Sequence, residues 1–172
     1  MIEIQVRPFD TCGADLATLE FLAALVNLAQ PKVLVEAGSY CGHFALYAAK
    51  VMADWGGEVW TADPLLHDNW TALIASNGLT NLHYVPADFG AIPFAALGPV
   101  DFAFVDSGAP FANGWEDGLR LRHYELAKQV VRPGGLIVTD DTAADDWQGV
   151  QRIRAEAALV LPGARGLSVR VN

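Results

Sequence analysis

Short runs of apolar residues alternate along this chain with longer segments in which apolar positions recur at helical spacing. Residues 15–29 place leucine, alanine and valine three or four positions apart, which predicts a helix that stops before Pro31. Further helices are predicted over 42–52, 68–76, 113–131 and 142–157, with a partial helix over 89–97 around Pro93. The short apolar runs predict buried strands over 33–35, 58–62, 82–85, 100–105 and 136–139.

The predicted helix starts rest on side chains that can cap a helix. Asn113 with Glu116 three residues later, and Thr142 with Asp145, resemble capping boxes, and Asp68 is a candidate cap for the helix over 68–76. A helix stop is also predicted: the segment 132–135 (Arg-Pro-Gly-Gly) is expected to end the helix over 113–131.

Strands that alternate with helices predict an α/β fold, with a parallel sheet covered by helices on both faces. The last two apolar runs, 158–161 and 167–171, are separated by Pro162-Gly163 and predict a terminal hairpin that adds two strands, one of them antiparallel. A length of 172 residues fits a single domain, here 1–172, with an N-terminal helical segment (1–30) over the site and an α/β core (31–172). In such sheets, ligands bind at the carboxyl ends of the strands.

Composition narrows the class of protein. The chain is 52% hydrophobic and 18% charged, which excludes a disordered segment. Its net charge of −9 argues against nucleic acid and anionic membranes as partners. Neither a signal peptide nor a membrane span is recognisable, and two cysteines, Cys12 and Cys41, form no disulfide framework. We therefore expect a cytoplasmic protein.

The turn after the first strand is the first candidate binding element. Glu36-Ala37-Gly38-Ser39-Tyr40-Cys41-Gly42 has the pattern E-x-G-x-x-x-G, in which glycines let backbone approach a ligand and the next helix offers its amides. Because the third glycine of G-x-G-x-x-G is absent, a dinucleotide pyrophosphate is less favoured than a ligand without phosphates. A tight connection without a ligand is the alternative interpretation.

Polar residues also follow the other strands. Asp63 comes 21 residues after Gly42, where a carboxylate can accept both hydroxyls of a ribose, or can serve only as a turn residue before Pro64. Asp88 and Phe89 follow the third strand and could frame an adenine. The fourth and fifth strands end at Asp106 and at Asp140-Asp141.

Together these segments resemble class I S-adenosylmethionine-dependent methyltransferases, closest to the small-molecule O-methyltransferases. The matching segments are 33–42 (VLVEAGSYCG), 58–63 (EVWTAD), 100–106 (VDFAFVD) and 131–141 (VRPGGLIVTDD), in family order and at family spacing. The resemblance implies a doubly wound, Rossmann-like sheet of seven strands in the order 3-2-1-4-5-7-6, with strand 7 antiparallel. It also implies that S-adenosylmethionine is the cofactor.

The resemblance assigns a role to each matching residue. Asp63 would hold the ribose hydroxyls, Asp88 with Phe89 the adenine, and Asp106 would lie under the methionine amino group, near the reacting centre. The methionine and ribose side of the cofactor would be lined by Glu36, Gly38, Ser39, Tyr40 and Gly42.

Metal-dependent members of the family carry carboxylates where this chain has Asp106, Asp140 and Asp141, so these three are candidate ligands for Mg²⁺ or another divalent cation, and Asp106 and Asp140 are the candidate catalytic residues. Three carboxylates on neighbouring strands repel each other unless a cation or a proton relieves them, and oxygen ligands suit Mg²⁺. Alternatively, Asp141 caps a helix and Asp140 faces solvent or the cofactor amine.

The chain departs from the family pattern at two positions. The catalytic lysine of catechol-type members is replaced by Ala109, and a serine found in some members is replaced by Phe44. His123 is a candidate base, but its helical neighbours favour a surface position.

We therefore expect methyl transfer from S-adenosylmethionine to an oxygen of a small molecule. The acceptor pocket would be built from 1–30, 107–115 and the loop after the fifth strand, with a second subunit of a homodimer as a further contributor. The alternatives are a cofactor-binding domain without catalysis and, less favoured, a nicotinamide-dinucleotide-dependent oxidoreductase.

Overall fold

The computed structural model describes residues 16–65, 70–108, 110–111, 114–115, 118–143, 149–162 and 166–172. Its helices are α1 (Leu16–Ala29), α2 (His43–Met52), α3 (Trp70–Ser76), α4 (Phe94–Leu97), α5 (Leu119–Val130) and α6 (Val150–Glu156). Its strands are β1 (Val33–Ala37), β2 (Glu58–Ala62), β3 (Leu82–Val85), β4 (Val100–Val105), β5 (Pro110–Phe111), β6 (Gly114–Trp115), β7 (Val131–Asp140), β8 (Leu159–Leu161) and β9 (Leu167–Val171).

Seven of these strands form one sheet in the order β3-β2-β1-β4-β7-β9-β8, and β5 pairs with β6 separately. Five adjacent strands of this sheet are parallel to one another: β3, β2, β1, β4 and β7. Strand β9 is antiparallel to both of its neighbours, β7 and β8. Counted within the large sheet alone, the order is 3-2-1-4-5-7-6 with the seventh strand antiparallel. The predicted topology is therefore confirmed.

Strand β4 shows why the sheet is covered on both faces. Every residue of β4 except Asp101 is buried, as expected for a central strand whose two faces both meet helices. Phe102 and Phe104 pack into one buried cluster with residues of α1, α2 and α3, while Ala103 and Val105 pack into another with residues of α4, α5 and α6. The sheet is thus doubly wound.

The strand register places the candidate residues at one edge of the sheet. Ala37 at the end of β1 is level with Ala62 of β2 and Val105 of β4, and Val105 is level with Thr139 of β7. The residues that follow these four positions therefore emerge side by side: Gly38, Asp63, Asp106 and Asp140.

Neither α5 nor the described part of α6 begins where a capping box predicts a helix start. Helix α5 begins at Leu119 rather than near residue 113, after the left-handed Gly118 (φ 82°). The described part of α6 begins at Val150, after the left-handed Gly149 (φ 93°). Glycine reaches this backbone conformation without a steric penalty, so the chain turns into each helix without a side-chain cap. Asn113, Glu116, Asp145 and Asp68 lie outside the described residues.

The segment 132–135 does not only end a helix; it lies inside β7, which is longer than predicted. The pairing of β4 with β7 shifts register between Val100 and Phe102, opposite this segment. A Cβ on Gly135 would lie 2.8 Å from the carbonyl oxygen of Asp101, so only glycine permits this close approach of the two strands. Pro133 is tolerated because it falls at this irregularity.

Of the N-terminal segment 1–30, the structure describes the part that forms α1, which packs on α2 through the buried Leu22 and Val26. Among the described residues, no helix combines the length and apolar character that crossing a bilayer requires. The single-domain boundaries remain a prediction.

Candidate functional site

The turn between β1 and α2 is pressed against the end of β4. Gly38 has a φ of 91°, and a Cβ built there would lie 2.6 Å from the carbonyl oxygen of Asp106. Tyr40 and Gly42 also have positive φ angles, of 42° and 78°. The amide of Gly42 donates to the carbonyl of Ser39 (2.7 Å), so the chain folds tightly before α2 begins. The two glycines found in the sequence are thus required by the backbone itself.

Asp63 ties this turn to the end of β2. Its Oδ2 accepts a hydrogen bond from the amide of Tyr40 (2.8 Å) and its Oδ1 accepts one from the amide of Leu65 (2.9 Å). The side chain is nearly buried, and the hydroxyl of Tyr84 donates to its backbone carbonyl (3.0 Å). Asp63 therefore has a structural role in the turn, whatever it binds in addition.

Glu36 is a buried carboxyl group in the middle of this edge. Thr61 donates a hydrogen bond to its Oε2, and the hydroxyl of Ser39 lies 2.5 Å from that of Thr61. Burial raises the pKa of Glu36 to about 8, opposed by the bond from Thr61 and increased further by the charges of Asp106 and Asp63. Glu36 is thus largely protonated at neutral pH.

An open cavity lies at the carboxyl ends of β1 and β4. It brings together six of the nine predicted cofactor residues: Glu36, Gly38, Ser39, Tyr40, Gly42 and Asp106. Leu19 of α1 also lines it, as does Phe44, whose ring meets that of Phe104 edge-on at 4.9 Å. The residue that departs from the family pattern therefore forms part of the apolar wall.

The predicted adenine residues lie outside that wall. Asp88 is half exposed and accepts a hydrogen bond from the amide of Gly90 (2.9 Å). Burial would raise its pKa, but the Gly90 amide, His123 and Arg122 together hold the pKa of Asp88 below its usual range. The ring of Phe89 is buried in the core, 5.4 Å from those of Phe94 and His123.

His123 corrects an expectation, because it is buried rather than on the surface. Its Nδ1 lies 2.8 Å from the hydroxyl of Ser107, and its Nε2 lies 3.0 Å from Oδ2 of Asp88. The burial of His123 cannot be inferred from the residues next to it in the sequence, because the position at which α5 starts determines which face of the helix meets the sheet. The imidazole connects Ser107, in the loop after β4, to Asp88, in the turn after β3.

We expect the substitution His123→Ala to lower the free energy of unfolding by about 1–3 kcal/mol, because the buried hydroxyl of Ser107 loses its partner. Urea unfolding followed by circular dichroism measures the change. The control is Arg122→Ala, which removes an exposed partner of the same Asp88 carboxylate (3.4 Å) and should change stability by less than about 0.5 kcal/mol. Equal losses in the two variants would contradict the buried role of His123.

The three predicted metal-ligating carboxylates do converge. Asp106, Asp140 and Asp141 each offer an oxygen atom within 4.8 Å of the others. However, the buried guanidinium of Arg120 lies among them, with Nη2 3.5 Å from Asp106 and 3.1 Å from Asp141. The oxygen donors suit a divalent cation, but the arrangement as built already contains a cation, so it does not fit a metal ion while Arg120 stays in place.

The structure excludes one of the alternatives left open by the sequence, a solvent-facing Asp140. The side chain of Asp140 is fully buried rather than exposed to solvent. Asp141 has a φ of 56°, a left-handed conformation that aspartate tolerates better than most residues, and it is bonded to Arg120. Thr142 is also fully buried, and its hydroxyl accepts a hydrogen bond from Ser168 (2.9 Å).

Sequence reasoning missed Arg120, Thr61 and Ser107. One signal for Arg120 was available, since three convergent carboxylates require a positive charge and the chain has only 11 lysines and arginines. Thr61 lies inside a strand and Ser107 follows Asp106, so their roles depend on side-chain contacts that spacing does not show.

No curated protein matches the chain. Among solved structures, an O-methyltransferase from Bacillus cereus in complex with SAH shares 19% identity, with a TM-score of 0.71 over 95% of this chain and 84% of that one. TomG from Streptomyces achromogenes, an O-methyltransferase involved in tomaymycin synthesis and solved with SAM, shares 18% identity, with a TM-score of 0.70 over 94% and 82%.

An RNA methyltransferase from Salinibacter ruber, in complex with S-adenosyl-L-homocysteine, has the same fold at 13% identity, with a TM-score of 0.63 over 92% of both chains. The fold is therefore shared by enzymes with different acceptors. A family model described as a methyltransferase domain matches residues 35–142, which is more than half of the chain. That span contains the glycine turn, Asp63, Asp106 and the acidic end of β7, and the chain belongs to the methyltransferase domain family.

Proposed function

We propose that this methyltransferase transfers the methyl group of S-adenosylmethionine to an oxygen atom of a small molecule. The observation that carries the proposal is the cavity at the carboxyl ends of β1 and β4, whose wall unites Glu36, Gly38 and Asp106. Ligands of doubly wound sheets bind at this edge. The solved O-methyltransferases from Bacillus cereus and Streptomyces achromogenes, with SAH and SAM bound, support the same ligand class here.

The residues that would hold the cofactor are those of the glycine turn and the neighbouring strand ends. Ser39, Tyr40 and Gly42 would face its methionine and ribose, and Asp63 would accept the ribose hydroxyls. Asp88, whose carboxylate is half exposed, would accept from the adenine amine. Because the ring of Phe89 is buried, that residue would meet the adenine only through its backbone.

The reaction asks little chemistry of the protein beyond orientation. S-adenosylmethionine would supply a methyl group on a sulfonium. As the bond from carbon to the acceptor oxygen forms, the bond to sulfur breaks and leaves S-adenosylhomocysteine, and the hydroxyl proton passes to a carboxylate of the protein, for which we propose Asp106. Asp106 lines the cavity and is the carboxylate that we place beside the acceptor. Asp140 would act with it, although its side chain is fully buried and does not line the cavity. No step requires a metal ion.

The acceptor class and the setting are part of the proposal. A net charge of −9 disfavours a phosphate-rich polymer and favours a small molecule. A second copy of the chain completing the acceptor pocket is supported by the exposed Leu16 and Leu28 of α1, the helix that contributes Leu19 to the cavity. A reducing, cytoplasmic setting agrees with the buried thiol of Cys41. Sedimentation with and without cofactor tests the dimer.

Calorimetric titration with S-adenosylhomocysteine should show one site with a dissociation constant in about the micromolar range. The substitution Asp63→Ala should weaken this binding by about 1.5–3 kcal/mol, the range for a hydrogen bond to a charged group. Asp63→Asn is the matched control, because it keeps the size and one acceptor oxygen of the side chain. Asparagine at this position can still accept the hydrogen bond from the amide of Tyr40, whereas alanine cannot. Unchanged affinity in a folded Asp63→Ala protein would show that Asp63 serves the turn alone.

The alternative functions are separated by turnover. Release of S-adenosylhomocysteine in the presence of a panel of phenols, catechols and hydroxy acids identifies an enzyme. Cofactor binding without turnover on any acceptor would favour the non-catalytic domain. Binding of a nicotinamide dinucleotide at the same site would revive the oxidoreductase.

A further inference from the structure

The guanidinium of Arg120 is built into the acidic end of the sheet. The side chain reaches from the first turn of α5, and only 5% of it is exposed. Its Nε donates to the backbone carbonyl of Ser107 (3.0 Å) and its Nη1 donates to the backbone carbonyl of Asp140. These two bonds hold the loop after β4 and the end of β7 from a single planar group. A surface arginine resting against carboxylates would have no such backbone anchors.

The third nitrogen of the same group faces the carboxylates. Nη2 lies 3.1 Å from Oδ2 of Asp141 and 3.5 Å from Oδ1 of Asp106. An arginine in a protein does not lose its proton, so this positive charge is permanent. It relieves the repulsion among the three carboxylates, which is the physical service that a divalent cation would provide at the same place.

A metal ion and Arg120 cannot serve this cluster together. Mg²⁺ needs oxygen atoms about 2.0–2.1 Å away in octahedral geometry and is strongly repelled by an adjacent guanidinium. Two of the three carboxylates are already turned towards Arg120. To bind a metal ion, the carboxylates of Asp106 and Asp141 would have to turn away from the guanidinium. The guanidinium would also have to move away from the ion, although two backbone carbonyls hold it in place.

We propose that Arg120 takes the place of a divalent cation at the cluster formed by Asp106, Asp140 and Asp141. The site is therefore independent of metal ions, and Arg120 is a positioning residue that fixes Asp106 at the cavity. The independence of the cluster from metal ions does not need the proposed cofactor, whereas the positioning role of Arg120 rests on the proposed function. Metal binding tests this independence separately from methyl transfer. A metal ion bound at the cluster would overturn the inference and leave the proposed function standing, whereas a failure of methyl transfer would leave the independence from metal ions standing.

The test measures Mn²⁺ binding by electron paramagnetic resonance of the free ion. The wild-type protein should bind no Mn²⁺ at the cluster at about 1 mM ion, and EDTA should leave its melting temperature unchanged. Arg120→Met keeps the length of the side chain, removes its charge and leaves the three carboxylates free to meet a cation. That variant should bind one Mn²⁺ at least about tenfold more tightly than the wild type, and adding Asp141→Asn should abolish the gain.

The wild-type measurement decides the proposal even where Arg120→Met does not fold. Stoichiometric Mn²⁺ binding by the wild type that disappears in Asp141→Asn would overturn it. A folded Arg120→Met protein that gains no Mn²⁺ would also overturn it, because the carboxylates would then not form a cation site. The positioning role has its own readout: Arg120→Lys keeps the charge but loses the fork, and should lower kcat with little change in the affinity for S-adenosylhomocysteine.

Discussion

The substitution Gly38→Ala is expected to remove cofactor binding and to lower the free energy of unfolding by about 2–6 kcal/mol, the sum of a steric and a backbone contribution. The added Cβ would lie 2.6 Å from the carbonyl oxygen of Asp106, 2.9 Å from its carbonyl carbon and 3.0 Å from Cα of Ser107. All three are backbone atoms. They cannot move aside without breaking the hydrogen bond from the amide of Asp106 to the carbonyl of Ala37 (2.9 Å).

A second glycine separates the two contributions. Gly78 has a similar positive φ, 63°, but an added Cβ there meets nothing within 4 Å. Gly78→Ala should therefore show only the strain of the left-handed backbone, about 1–2 kcal/mol, and leave binding of S-adenosylhomocysteine unchanged. Urea unfolding and calorimetric titration of both variants measure these effects. Equal destabilisation with intact binding in both would mean that the contact between the turn and β4 is not what makes Gly38 necessary.

The sheet could be predicted from the sequence because its central strands are buried on both faces. Short apolar runs such as Val100–Val105, interrupted only by Asp101, indicate buried strands when glycine and helical segments bound them on either side. Since neighbouring parallel strands end together, the polar residues that follow them had to share one edge. Glu36, Gly38 and Asp106 line one cavity at that edge, as the resemblance to the methyltransferases implied.

The helix starts could not be predicted in the same way. A capping box is a local pattern, but α5 and α6 start after Gly118 and Gly149, whose left-handed backbone depends on how each loop returns to the sheet. The error at α5 had consequences for the site. With the start of the helix misplaced, neither the burial of His123 nor the reach of Arg120 to the strand ends could be inferred.

Glu36 should make the stability of the free protein depend on pH in a direction opposite to that of most carboxyl groups. Burial, assisted by the nearby charges of Asp106 and Asp63, raises its pKa from 4.5 to about 8 in the folded state. Between these two values the folded protein keeps a proton that the unfolded chain releases. The contribution of Glu36 to stability is therefore fully present below about pH 4.5 and is lost as the pH rises towards 8.

The substitution Glu36→Gln should remove this dependence while preserving the size of the side chain and an acceptor for the hydroxyl of Thr61. Over the window from pH 5 to 8, the wild type should lose about 1 kcal/mol of unfolding free energy per pH unit more than the variant, as urea unfolding would show. Taking the difference cancels the other titrating groups. Parallel curves would mean that Glu36 is ionised in the free protein.

Binding of S-adenosylmethionine should also change the protonation of Glu36, because the positive charge of this ligand beside Glu36 favours the ionised carboxylate. Titration with S-adenosylmethionine at neutral pH should therefore release a proton in the wild type and none from this position in Glu36→Gln.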